Sequence, residues 1–427
     1  MISLAKKTNT KNANTLPIDA NLIVIICISL VAISGILSIN PIMPYIAESF
    51  NIPPQEIGLV MTIFLMPTTV GTLIFGALAD RIGTKKILIP SLLLFGVGGI
   101  LCAFANNFRS LLEWRFLTGV GAASLESLEL TLISDLYSGK MLTSAMGFNS
   151  AMIGIAATIY PLIGGFLGEL SWRYPFLLSV LAFPVALLIS QKLKVASKQK
   201  NSQNFNLGIY LKNTCDNIKN PQVFGLLFTV FSLFVIELGT FYTYIPIYAG
   251  TQLGASVAEI GIIICCQSIA FSFTASQLGF LATKLSEKSL IISGFLLYGL
   301  SLLIVPAIPN TLLLIIPCII FGVSVALTLP TLQAMIAGIA PEGYRAGFMA
   351  LNVTVQSLGR ALGPLLAGLA YGAWGIQGVF YASAALTIIT VVVFSLLLTS
   401  KKSTPVVNVE ELEICINDFM KLGSREI

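Results

Sequence analysis

The sequence predicts an all-α membrane protein: twelve transmembrane helices in two six-helix pseudo-repeats. Three observations carry this. The 427 residues are 56% hydrophobic and only 10% charged, with a mean hydropathy of +0.90. The apolar residues fall into twelve long blocks, each near the ~20 residues a spanning helix needs. One constant offset carries glycines and prolines of the first half onto those of the second.

The composition excludes much. A soluble domain is about 25% charged and uses those groups to cover its surface; this chain does not own them, and it is far too apolar for disorder. It has no histidine, which removes His-based triads, His-ligated zinc and imidazole proton relays. The seven cysteines form no CxxC pair and sit mostly in apolar runs, where small buried hydrophobes are expected and no metal or redox role.

Taken in order, the blocks run near 21–46, 57–79, 86–105, 110–134, 142–168 and 174–193, then 222–248, 258–281, 288–308, 311–338, 346–371 and 376–399. In lipid the backbone must satisfy its own hydrogen bonds, so runs this long are helices, not barrel strands. The first block follows Lys6, Lys7 and Lys11 but is too long for a signal-peptide core, so it is read as an uncleaved span. The expected parts are an N-terminal segment 1–20, a six-helix bundle 21–193, a polar linker 194–221, a second bundle 222–399 and a tail 400–427. The tail is either solvated or a short amphipathic helix.

Charge sets the orientation. With the N-terminus inside, inner segments carry 20 of the 24 basic residues and outer loops only Arg109 and Arg173. The positive-inside rule then places both termini in the cytoplasm. The net charge of +5 is this bias and gives no sign of nucleic-acid binding.

The repeat has an offset of 203. It carries Tyr45 to Tyr248, Gly58 to Gly261, Gly76 to Gly279, Gly119 to Gly322, Pro161 to Pro364 and Gly165 to Gly368. Small residues allow close helix contact, and proline breaks the backbone ladder. A parallel 6+6 repeat is one layout of secondary transporters, whose halves rock around a site near the midplane.

Three motifs then give a resemblance. The loop after the second span reads GALADRIGTKK, with Gly76, Asp80, Arg81, Gly83, Lys85 and Lys86. It resembles the signature of the major facilitator superfamily between its second and third helices. Span 4 holds RFLTGVGAA from Arg115 to Ala123, similar to the family's second motif. Span 5 holds Pro161, Gly164 and Gly165, followed by Trp172, Arg173 and Phe176, similar to its antiporter motif; Gly363 and Pro364 repeat it in span 11. The resemblance covers about residues 20–400 and implies a twelve-helix transporter of the drug:proton antiporter branch. It implies that Asp80 and its loop gate, that Arg115 takes part in proton transfer, and that the antiporter motif marks export. Asp135, at the inner end of span 4, is a candidate partner for a base of the loop.

The residues at membrane depth are few. Arg115 is costly there unless it faces a wet cavity, a partner or helix carbonyls. Glu126, 11 residues on, shares its helix face about 16 Å away, and Glu129 lies one turn further. Glu126 and Glu129 are either proton carriers or solvated acids. Glu237 of span 7 is the one acid well inside a span of the second half; it is either a proton or cation-substrate site or simply kept protonated, with Arg360 as its counter-charge or as a gate. Phe241, Tyr242, Tyr244 and Tyr248 form either an interfacial belt or the lining of a substrate site, and Tyr242, Tyr244 and Arg360 are the candidate substrate contacts.

The expected function is proton-coupled efflux of a small organic molecule, by a monomer in the cytoplasmic membrane, driven by the proton gradient without a cofactor. The alternatives are a metabolite, sugar or siderophore carrier and a transporter-like receptor. No G-x-x-x-x-G-K-S/T loop is present, so neither an enzyme nor an ATP-driven pump is expected.

Overall fold

A computed structural model describes residues 19–137, 139–193, 221–339 and 345–399. The expected linker, the tail and nearly all of the N-terminal segment lie outside these residues, as do the side chains of Gly76, Asp80 and Arg81.

The described residues form helices joined by short connections, in twelve spans. The first half holds α1 (Ala20–Ser49), α2 (Leu59–Ile82), α3 (Thr84–Ala103), α4 (Phe108–Leu136), α5 (Gly139–Leu170) and α6 (Tyr174–Lys192). The second holds α7 (Pro221–Leu253), α8 (Val257–Lys284), α9 (Glu287–Ala307) and α10 (Ile315–Ile339). The helix Arg345–Thr399 bends at Gly375, whose φ of 70° and ψ of −173° suit only glycine, and so divides into α11 (345–374) and α12 (376–399). The hydropathy blocks therefore locate every span.

Local sequence explains the ends. Asn107 and Ser256 open α4 and α8 with capping boxes, each side chain accepting from the backbone three residues on. Asp19 caps Leu22 N and accepts the Tyr137 hydroxyl, tying the start of α1 to the end of α4. Gly83, at φ 99°, makes the turn between α2 and α3. Residues Tyr174–Leu181 open α6 as a 3₁₀ stretch, and two further spans are irregular near the middle. In α1, Ile39 N turns back to Ile36 O, and Asn40–Ile42 continue as a 3₁₀ turn before Met43. In α7, Val235–Tyr244 form a ten-residue π-helix that contains Glu237. Such stretches are rare and favour functional positions.

With an even number of spans, α1 begins and α12 finishes at the same end of the bundle, the terminal end. The opposite, distal end is where the halves close on each other, along two seams. In the α2–α11 seam, a Cβ at Gly58 would meet Pro364 O and one at Gly368 would meet Gln55 O. In the α5–α8 seam, a Cβ at Gly261 would meet Pro161 O and one at Gly165 would meet Val257 O. Deeper in, Thr69 Oγ1 donates to Ser357 O and Ser268 Oγ to Ala157 O.

Toward the terminal end the halves part. The distal half of α8 is mostly buried, whereas 276–284 carry no buried residue on any face. A Cβ at Gly147, Gly154 or Gly279 would touch nothing within 4 Å. The molecule is closed at its distal end and open at its terminal end.

Candidate functional site

Four charged residues lie near the plane where the seams end. Glu126 and Glu129 come from α4. Glu129 is buried, interacts with Ser29 of α1, and its Oε2 has no hydrogen-bond partner among the described residues. Ser29 in turn donates to Asn149 Oδ1 of α5 at 2.8 Å. Glu126 and Glu129 also act on each other. From the other half, Glu237 sits on the π-helical turn of α7 with Oε2 likewise unpartnered.

Arg360 of α11 links the halves. Its guanidinium lies 4.7 Å above the Phe234 ring. Its field reaches both Glu126 of the first half and Glu237 of the second, without a direct ion pair among the described residues. The approach of α7 to α11 that permits this rests on glycine: a Cβ at Gly239 would lie 2.5 Å from Gly363 O. Two carboxylates, one from each half, thus share one arginine at membrane depth, where an unneutralised charge is costly.

Beside Glu237 lies an aromatic group. Phe241 stacks on Phe321 at 4.2 Å, and Tyr298 meets Phe321 edge-on at 4.7 Å. Tyr242 donates to Gln267 Oε1 at 3.2 Å, and Glu237 acts electrostatically on Tyr242 and Tyr298. Phe241, Tyr242, Tyr244 and Tyr248 are all buried, which corrects the belt reading: none faces lipid headgroups. Tyr244 serves the α2–α11 seam, where its hydroxyl donates toward Pro54 O at 3.3 Å and its ring stacks on Tyr371.

Arg115 stands apart from the acids. It is 1% exposed, and among the described residues it makes no ion pair. Nη1 donates to Gly35 O at 3.0 Å and Nε to Val60 O at 3.1 Å, while the rings of Phe64 and Phe176 flank it. The cause is the break in α1. Because Ile39 N bonds to Ile36 O, the Gly35 carbonyl loses its helical donor and takes the arginine instead. The cavity beside Arg115 measures about 10 Å³, room for about one water, so this arginine does not face a substrate space.

In the loop between α2 and α3, Gly83 makes the turn, and Lys85 and Lys86 lie in the first turn of α3. Asp135 is in the last turn of α4. Pro161, Gly164, Gly165, Gly363 and Pro364 are all packing positions: Pro161, Gly165 and Pro364 form the seams, Gly164 meets Ser38 O of α1, and Gly363 meets Val235 O of α7.

The fold, the repeat and the loop motif are those of one family, and its model, the Major Facilitator Superfamily, matches residues 24–256 and 227–414. The chain belongs to the Major Facilitator Superfamily. As a member it is a multi-pass membrane transporter of small molecules and not an enzyme. Among curated relatives it is 26% identical to multidrug resistance protein 2 of Bacillus subtilis, over 80% of this chain and 86% of that one. It is also 26% identical to the quinolone resistance protein NorA of Staphylococcus aureus, over 78% of this chain and 85% of that one. These place it with the drug-efflux branch. Solved structures with the same fold include the nucleoside transporter NupG, with a TM-score of 0.75 at 13% identity, covering 88% of this chain and 98% of that one. A bacterial homologue of the human lysosomal transporter Spinster, in an inward-facing and occupied conformation, has a TM-score of 0.75 at 16% identity, covering 90% of this chain and 98% of that one.

Proposed function

We propose that this transporter exports a small organic molecule across the cytoplasmic membrane in exchange for protons, by alternating access. One observation carries the reading: Glu126 of one half and Glu237 of the other share a single arginine, Arg360, across the line where the halves meet, with Glu129 acting on Glu126 beside it. Two carboxylates are left for a proton or a cationic group to neutralise. Rocking the halves changes which carboxylate Arg360 serves, and so ties charge to shape. The buried rings next to Glu237 favour a flat or amphipathic substrate.

The excess of basic residues on the terminal side supports a cytoplasmic terminal end; in this reading the state open at that end is the cytoplasm-open one, ready to load cargo for export. The names of the two resistance relatives support the same direction. In this reading Asp80, Arg81 and Asp135 gate the cytoplasmic end, and Arg115 serves coupling through the joint of α1 that it holds. The proton gradient is the only drive required, and one chain contains the whole site.

The test is transport of a cationic dye in proteoliposomes under an imposed pH gradient. Glu237→Gln and Glu126→Gln are expected to slow gradient-driven transport by ten-fold or more while dye binding to Glu126→Gln persists. Full gradient-driven transport in both variants would remove these carboxylates from coupling.

A further inference from the structure

At the distal end of α5, Glu169 reaches across the α5–α8 seam. Its Oε1 accepts a hydrogen bond at 2.9 Å from the backbone N–H of Ala258, in the first turn of α8 and the other half of the molecule. Ser256 and Glu259 cap the same turn from within α8, so Glu169 supplies a second acidic group to a helix N-terminus, where negative charge is favoured. The bond lies one turn beyond Gly165, whose Cα faces Val257 and Gly261. It can exist only while the seam is closed. The other seam has no such acid: the repeat offset carries Glu169 to Gly372, and there the Tyr244 hydroxyl donates toward Pro54 O and Gln55 O. The two seams are secured by opposite chemistry, an anion accepting in one and a phenol donating in the other.

We infer that Glu169 is a positioning residue for transport, a latch that holds the distal end closed by capping α8 from the opposite half. Glu48 of its own half and Glu259 of α8 act with it on Tyr45, so when the α8 N-terminus moves away Glu169 and Glu48 are left together without the helix end that favours them. Releasing the latch favours the state open at the distal end, in which an exporter discharges its cargo. The inference rests on the alternating-access reading above.

The test is hydrogen–deuterium exchange on the full chain in nanodiscs. Glu169→Ala is expected to raise exchange about two- to five-fold, the size of a charge–helix interaction, in segment 255–262. The same rise is expected in 54–60 of the α2–α11 seam, which Glu169 does not touch, with 276–284 at the terminal end becoming slower. Glu169→Gln keeps an acceptor without the charge and is expected to fall between wild type and Glu169→Ala. A rise confined to 255–262 would reduce Glu169 to a local cap and overturn the latch. So would no rise anywhere, or an equal rise in α3 and α9, which marks general loosening. Exchange reads shape and not transport. A full latch response in a chain that exports nothing would therefore support the latch and count against the efflux reading alone.

Discussion

Gly58 packs against the backbone of Pro364 so closely that a Cβ at position 58 would lie 2.7 Å from the proline carbonyl oxygen. The repeat offset turns this pair into Gly261 and Pro161, and those residues make the same contact at 2.5 Å. The distal closure is one contact made twice. Either glycine replaced by alanine must push two backbones apart, and overpacking of this kind costs about 1–3 kcal/mol. Gly58→Ala and Gly261→Ala are each expected to shift the closed–open equilibrium by about five-fold or more. A cysteine placed at Val257, buried in the seam, should then react faster with a membrane-impermeant maleimide. An unchanged rate would mean that the seam yields without opening.

Arg360 and Glu126 sit on opposite halves, so their coupling is measurable. Arg360→Gln is expected to lower thermal stability by leaving Glu126 and Glu237 without their counter-charge, and a second change, Glu126→Gln, is expected to restore part of the loss. A double-mutant cycle on Tm should give a coupling of about 0.5–2 kcal/mol. Strict additivity would show that the arginine does not act across the interface.

For Arg115 the expected loss is structural first. Arg115→Met keeps the packing between Phe64 and Phe176 but strands the Gly35 carbonyl, which should cost about 1–3 kcal/mol. Arg115→Lys retains one donor but not the fork that reaches Gly35 and Val60 together, so it should fall between Met and wild type in an unfolding titration in mixed micelles. Equal stability of all three would dissociate Arg115 from the break in α1.

Gly239→Ala tests the π-helical turn. The added methyl would meet Gly363 O at 2.5 Å, so α7 and α11 must separate, at about 1–3 kcal/mol. Because Glu237 and Arg360 lie on these helices, dye affinity should fall along with stability. Retained affinity with lowered stability would place the substrate away from Glu237.

The spans were legible because lipid demands about 20 apolar residues whatever their order, and the repeat because glycine and proline sit at a fixed offset. That Gly58 meets Pro364, rather than another repeat copy, was not legible: an offset relates positions without saying which touch. Arg360 was visible as a costly charge and Glu237 as a candidate partner. Glu126 as a second partner depends on how the halves are set, and no local pattern encodes that. The aromatic run of α7 reads equally as a belt or as a site lining when only its place near a span end is seen; burial places it inside the second half. Ser29 and Asn149 were missed because small polar residues in apolar helices are common. Glu169 was missed because an acid at a helix end reads as solvated. Its position one turn past a seam glycine was the available signal.

The tightest contacts of both seams are glycine against main chain. A compound that wedges into the opened distal cleft would rest on carbonyls that no codon change can alter. The escape route of adding a bulky side chain at Gly58 or Gly261 is closed to the transporter, because any such side chain would itself jam the closure of the distal end. The line of weakness in this molecule is therefore also the surface on which drug resistance would be hardest to evolve.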